Sequence, residues 1–196
     1  FRSDDVRAMF DKYGVMSAAE VDARVDVLFE TYNHVMAIEA RTMLQMIDTP
    51  EQAERAVQYL KFPPLGNRGI DAAGLDCNFT LNADENYTDD ANRETFICAQ
   101  IETPLAVENA DSIAAVEGID ILLVGAGDLG LRIGKATGPV LSIDESIERV
   151  AAATAAHGKT LGTIAIDRDG MKKRHDQGTR FLVAASEFMA LKYNLE

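Results

Sequence analysis

A chain of 196 residues, 47% hydrophobic and 26% charged, has the composition of a folded domain rather than of a disordered tail. Its formal net charge of −13 argues against nucleic acid and against an anionic membrane surface, both of which call for a concentrated basic face. No apolar run approaches the roughly 18–20 residues of a membrane span, no segment reads as a signal peptide, and Cys77 and Cys98 fit no zinc or redox spacing, so the expectation is a cytoplasmic protein with free thiols.

The first third reads as helical. Ser3 and Asp4 offer an N-cap, Val6, Met9, Phe10 and Tyr13 fall at helical spacing, and Gly14 stops the run. Ser17 with Glu20 forms a capping box for a second helix, whose stripe is Val21, Val25, Leu28, Phe29, Tyr32, Val35 and Met36. Residues 41–47 fit either a continuing helix or a buried strand. Asp48-Thr49-Pro50-Glu51 is a strong helix start, the helix runs to about Leu60, and Phe62-Pro63-Pro64-Leu65-Gly66 breaks it. Residues 67–90 read as a long irregular stretch rich in Asn, Asp and Gly.

From Thr95 onward strands and helices alternate. The expected strands are 95–101, 119–124, 160–166 and 180–184, and the expected helices are 104–116, 143–157, 169–177 and 187–195. Nearly continuous apolar strands between helices predict a parallel sheet covered on both sides. The stretch after Asp128, Leu131 to Thr137, reads as too broken by Gly and charge for a convincing long phosphate-binding helix.

Two strand ends carry candidate chemistry. In Gln100-Ile101-Glu102-Thr103 an acid closes an apolar strand, and in Gly125-Ala126-Gly127-Asp128-Leu129 small residues and an acid follow one. The carboxyl ends of parallel strands form the functional face of α/β folds, and two carboxylates there can share a hard cation such as Mg²⁺ or Mn²⁺. Alternatively, each acid caps the helix that follows it. Gly125-Ala126-Gly127-Asp128-Leu129-Gly130 also spells the dinucleotide fingerprint. Against that reading, it lies deep in the chain, and Asp128 would set a carboxylate beside a pyrophosphate. His34, His157 and His175 have no ligand-spaced partner, and Lys159 stands at the start of its strand.

These motifs, in this order, resemble one family. Thr49-Pro50-Glu51-Gln52-Ala53-Glu54, Lys61 to Gly69, Gln100-Ile101-Glu102, Ala114 to Asp120 and Gly125 to Leu129 occur as they do in HpcH/HpaI aldolases, over about residues 44–196. The resemblance implies a TIM-type (β/α) barrel enzyme that uses Mg²⁺, Mn²⁺ or Co²⁺. Such an enzyme cleaves a 4-hydroxy-2-oxo acid into pyruvate, or a related 2-oxo acid, and an aldehyde through a metal-stabilised enolate. It implies Glu102 and Asp128 as metal ligands, with Gln100 and the backbone around Gly127 and Asp128 contacting the 2-oxo acid.

The family's barrel has eight strands, whereas about five are legible here after residue 40. The expected fold is therefore a partial or rearranged TIM-type barrel (residues 44–196) with an N-terminal helical segment (residues 1–43). Residues 6–43 resemble a helical stretch near the C-terminus of type III glutamine synthetases. The family's catalytic histidine and charge-stabilising arginine map onto neither His34 nor Arg41, so the catalytic base stays unassigned. Open strand edges predict a homo-oligomer. A non-catalytic metal- or 2-oxo-acid-binding assembly protein is the alternative function.

Overall fold

The computed structural model describes residues 43–70, 79, 81 and 84–184. The expected helices and the resemblance to glutamine synthetases up to residue 42, Cys77, His34 and the expected helix 187–195 lie outside these residues; Met43, the last residue of the expected helical segment, stands in a strand. The chain divides into two compact units. The helices and strands of the described residues all belong to the unit formed by Thr42–Ile70 and Asp84–Glu196.

Among the described residues five strands form one parallel sheet: β1 (Met43–Leu44), β2 (Cys98–Ile101), β3 (Ile121–Val124), β4 (Thr160–Ile164) and β5 (Phe181–Val183). Their spatial order is their chain order, and every neighbouring pair is parallel. Right-handed crossovers that always step the same way put every connecting helix on one side of the sheet. That is the winding of a barrel wall. Residues 43–47, part of the run left open between helix and strand in the sequence, thus begin with the first strand of the described sheet.

Seven helices are described: α1 (Pro50–Leu60), α2 (Tyr87–Glu94), α3 (Pro104–Glu108), α4 (Ala110–Ala114), α5 (Ala126–Lys135), α6 (Ile143–Ala156) and α7 (Arg168–Asp176). Alternation along the strands sends Ala99, Ile101, Leu122, Val124 and Leu161 into the main core, with Val107, Ile113, Leu129, Ile147 and Val150 from the helices. The intervening residues Cys98, Ile121 and Leu123 pack with Phe96, Phe181 and Val183, and no helix residue among the described ones joins them. Among the described residues the helices thus cover one face of the sheet, whereas the apolar strands suggested cover on both. In a singly wound sheet the second face is the inside of the curve, and its own side chains bury one another.

Local signals explain most element bounds. Thr49 and Gln52 form the capping box of α1, with Pro50 in its first turn, and Ser142 and Glu145 do the same for α6. The expected helix 104–116 is two helices, because Asn109 leaves helical geometry and its Nδ2 donates to the Asp48 carbonyl at 2.8 Å. Helix α2 begins inside the stretch expected to be irregular, residues 67–90, and runs past its end. Tyr87 is its one buried residue, so it has no apolar stripe to read. It is held instead by Asn92, which exchanges two hydrogen bonds with the Phe62 backbone, and by Lys61, whose Nζ donates to the Asn92 and Thr95 carbonyls at 2.9 and 2.7 Å. Burial lowers the pKa of this lysine.

Helices α6 and α7 are tied by Asp144, which accepts from Lys173 Nζ and from Arg174 Nη1, each at 2.7 Å. These two bonds hold its carboxyl well below the ordinary range, at about 2. A depressed folded pKa contributes stability above the unfolded value that disappears as pH falls through the folded one. Thermal melts should therefore show the wild type losing its margin over Asp144→Asn as pH drops from the ordinary carboxylate value of 3.8 toward about 2. The margin should be small, because the pair is half-exposed. A margin independent of pH across that window would contradict the assignment.

Candidate metal and substrate site at the carboxyl edge of the sheet

Ile101 and Val124 are the last paired residues of β2 and β3. Glu102 follows the first directly, and Asp128 follows the second by four positions, in the first turn of α5. Both acids thus stand at the same edge of adjacent strands. Alternation puts Glu102 on the face of Cys98 and Gln100, the inner one. Residue 125, the register successor of Val124, is glycine for a steric reason. A Cβ there would lie 2.6 Å from both Cγ and Oε1 of Glu102.

Glu102 is only 7% exposed. Its Oε2 accepts one hydrogen bond, from the Met46 backbone N–H at 3.2 Å, and among the described residues it enters no ion pair. Burying a carboxylate without a cation is costly, so a positive partner would be favoured at this position. Gln100, two residues earlier on the same face, donates through Nε2 to Met43 Sδ at 2.6 Å, while its Oε1 is buried with no hydrogen-bond partner. An anionic oxygen and an orphaned neutral oxygen on one face suit a hard divalent cation and its ligands.

Asp128 differs. Its side chain is 57% exposed and pairs with Arg132 Nη1 at 2.9 Å, one helical turn on. The same guanidinium donates to the Asp128 carbonyl at 3.2 Å, and its Nη2 lies 3.2 Å from Met46 Sδ. Met46 therefore touches both halves of the site, through its amide to Glu102 and through its sulfur to Arg132. It does so at φ 58°, an uncommon conformation for a residue with a side chain. Nothing lies within 4 Å of a Cβ placed on Gly127. The first helical bond of α5 is Leu129 N–H to Gly125 O, so the amides before Leu129 have no partner within the helix. Such amides attract anions, carboxylates included.

The structure thus brings Gln100, Glu102, Gly127 and Asp128 to one edge. Sequence reasoning missed Met43, Met46 and Arg132. The spacing of Asp128 and Arg132 was a legible signal for an i,i+4 ion pair, but no helix was expected between residues 124 and 143, and α5 fills that gap. Among the described residues no group of three or more His, Cys, Asp or Glu could hold a metal ion, so two protein carboxylates would leave the remaining positions to substrate and water.

Other candidates fall away on position. His157 caps the C-terminus of α6 and sits 3.0 Å from Asp111, and His175 is in the last turn of α7. Helix C-termini lead into strand starts, the opposite edge of the sheet, where Lys159 also lies. The Cys98 thiol is free but buried, and burial pushes it up to about 12, so it is no nucleophile. The dinucleotide reading meets two further objections. The space beside its first glycine is filled by the Glu102 side chain, and the described strands run in sequence without the order reversal that opens a dinucleotide crevice.

A parallel sheet wound in chain order, helix-covered on one face and with acids at its carboxyl edge, is the wall of a TIM-type barrel. The model of the HpcH/HpaI aldolase/citrate lyase family matches residues 14–192, and the chain belongs to that family. The 2-keto-3-deoxy-L-rhamnonate aldolase of Klebsiella pneumoniae is 36% identical over 161 residues, covering 79% of this chain and 58% of that protein. The hydroxypyruvate/pyruvate aldolase of Delftia acidovorans is 33% identical over 151 residues, covering 76% and 56%. The HpcH/HpaI aldolase structure from Desulfitobacterium hafniense superimposes with a TM-score of 0.68 at 29% identity, covering 78% of this chain and 60% of that one. The chain spans less than two thirds of the length of each of these relatives. No helix among the described residues is long and apolar enough to cross a membrane.

Proposed function

We propose that this chain binds a divalent cation through Glu102 and Asp128 and serves a carbon–carbon lyase reaction on a 4-hydroxy-2-oxo acid, releasing pyruvate or a related 2-oxo acid and an aldehyde. The observation that carries the reading is the buried Glu102 carboxylate, without a cationic partner among the described residues and beside the orphaned Gln100 oxygen. A bound Mg²⁺, Mn²⁺ or Co²⁺ supplies Lewis acidity to the ketone and carboxylate oxygens of a 2-oxo acid. The chain's own groups do the rest of the binding. The free amides around Gly127 and Asp128 face the substrate carboxylate, and Gln100 orients the oxo-acid end from the inner face. In the reaction the C3–C4 bond breaks, the 4-hydroxyl gives up its proton, and C3 gains one. The walls of the inner face, Leu123 and Phe181 among them, limit water.

Glu102 and Asp128 serve this reading as ligands rather than as helix caps. In the structure Thr103, not Glu102, caps α3 through Oγ1 to Ala106 N–H at 3.0 Å. The relatives named as aldolases support the same reaction class. Assembly as a homo-oligomer, a cytoplasmic setting and a separate helical segment over residues 1–43 belong to the same proposal.

The test is pyruvate release from a 4-hydroxy-2-oxo acid by the purified chain with added Mn²⁺. The expected result is turnover that chelator abolishes and metal restores. Activity that persists in Asp128→Ala would overturn the site. The same buried carboxylate and orphaned amide oxygen would equally serve one second reading, a cation- and 2-oxo-acid-binding assembly protein. Tight Mn²⁺ binding without turnover would select it.

A further inference from the structure

We propose that Arg132 is a resident counter-ion of Asp128 that competes with a divalent cation for the same carboxylate and so weakens cation loading of the site. The inference rests on the reading of Glu102 and Asp128 as cation ligands.

The two acids are unequally prepared. Glu102 has one neutral donor, the Met46 amide, and no cationic partner among the described residues. Asp128 carries a full positive charge 2.9 Å from its Oδ1. The helix fixes that charge in place, since residues four apart on α5 are neighbours whatever the side chains do. Arg132 is held twice by the same residue, through the Asp128 carboxylate and the Asp128 carbonyl, and its far nitrogen rests on Met46 Sδ. A cation that takes Asp128 Oδ1 must displace a charge-assisted hydrogen bond, and the displaced guanidinium remains within one helical turn of the incoming dication.

Both consequences act against loading. An exposed i,i+4 pair is worth about a 2-fold change in an equilibrium. Repulsion between a guanidinium and a dication at this range adds to it in partly solvated surroundings, for a combined effect of about 3- to 10-fold. The repulsive part is screened by salt. Arg132 is thus a positioning residue that acts through Asp128.

The test is titration of the purified chain with Mn²⁺ alone, followed by the electron paramagnetic resonance signal of the free ion, at low and high ionic strength. Arg132→Met should bind Mn²⁺ about 3- to 10-fold more tightly than wild type, with the gap narrowing as salt rises. Arg132→Lys, which keeps the charge, should stay close to wild type. Arg132 is partly exposed, and Met is a good helix former. Should Arg132→Met fail to fold, Arg132→Gln makes the same comparison.

Equal or weaker binding by the neutral variants, a gap insensitive to salt, or a lysine variant that behaves like the methionine one would each overturn the proposal. Asp128→Asn separates the two levels of inference. If it leaves Mn²⁺ affinity unchanged, the ligand reading itself fails. If it weakens binding while Arg132→Met does not strengthen it, only the counter-ion proposal falls.

Discussion

Glu102→Gln should abolish Mn²⁺ binding and, at the same time, raise the melting temperature of the metal-free chain. The two effects have one cause. The carboxylate is 7% exposed, accepts a single hydrogen bond from Met46, and has no cationic partner among the described residues. Replacing it with the isosteric amide keeps an oxygen for the Met46 N–H and removes a buried charge. Relief of an uncompensated buried group is worth about 1–3 kcal/mol. For a chain of 196 residues, each kcal/mol moves the melting point by roughly 2–4 °C. The same change withdraws an anionic ligand. Loss of a group that merely orients a metal ligand costs about 10- to 100-fold in affinity, and loss of the ligand itself should exceed the upper figure. Calorimetric titration with Mn²⁺ and a thermal melt without metal check both halves. A lower melting point with unchanged metal affinity would show that Glu102 is a structural acid and that the site lies elsewhere.

That opposition between stability and function bears on what was legible in the sequence. The elements that position the site were readable because their signals are local. Thr49-Pro50 with Gln52 starts α1, Ser142 with Glu145 starts α6, and the unbroken run Ile121 to Val124 makes a buried parallel strand. The edge on which Glu102 and Asp128 emerge was readable because each acid follows a strand end, whereas Gln100 and Gly127 entered only through the family resemblance. The partners of these residues were not readable. Met43 and Met46 reach the site from β1 and the loop after it, more than fifty residues from Gln100 and Glu102. No periodicity links them. Helix α5 was underread because Gly127, Gly130 and Gly134 lower its intrinsic propensity. It forms through the buried Leu129, with Arg132 and Lys135 in the last turn, where the helix dipole favours cations. Helix α2 carries no apolar stripe, and its anchors, Lys61 and Phe62, lie about thirty residues away. Tertiary contacts, not propensity, decided these cases.

Gly125→Ala should cut Mn²⁺ affinity by at least about 10-fold while leaving the fold in place, although neither atom of the new methyl's bond touches the ion. Gly125 sits at φ −80° and ψ 82°, outside the left-handed region, so the backbone has no need of glycine. The need is spatial. A methyl carbon would lie 2.6 Å from Cγ and Oε1 of Glu102 and 3.0 Å from its Cδ, well inside the ~3.5–4.0 Å of ordinary carbon contact. The clash involves Cγ, near the root of the side chain, so rotation of the terminal carboxylate does not relieve it. Either the whole Glu102 side chain leaves its rotamer or β2 and β3 separate. Overpacking of this kind costs about 1–3 kcal/mol. A ligand displaced by about an ångström is a poor ligand. A double-mutant cycle with Glu102→Ala isolates the cause. With Cγ and the carboxylate gone, Gly125→Ala should cost almost nothing in stability. A full stability penalty that persists in the Glu102→Ala background would place the glycine requirement in the backbone. Gly125 would then lose its part in shaping the site.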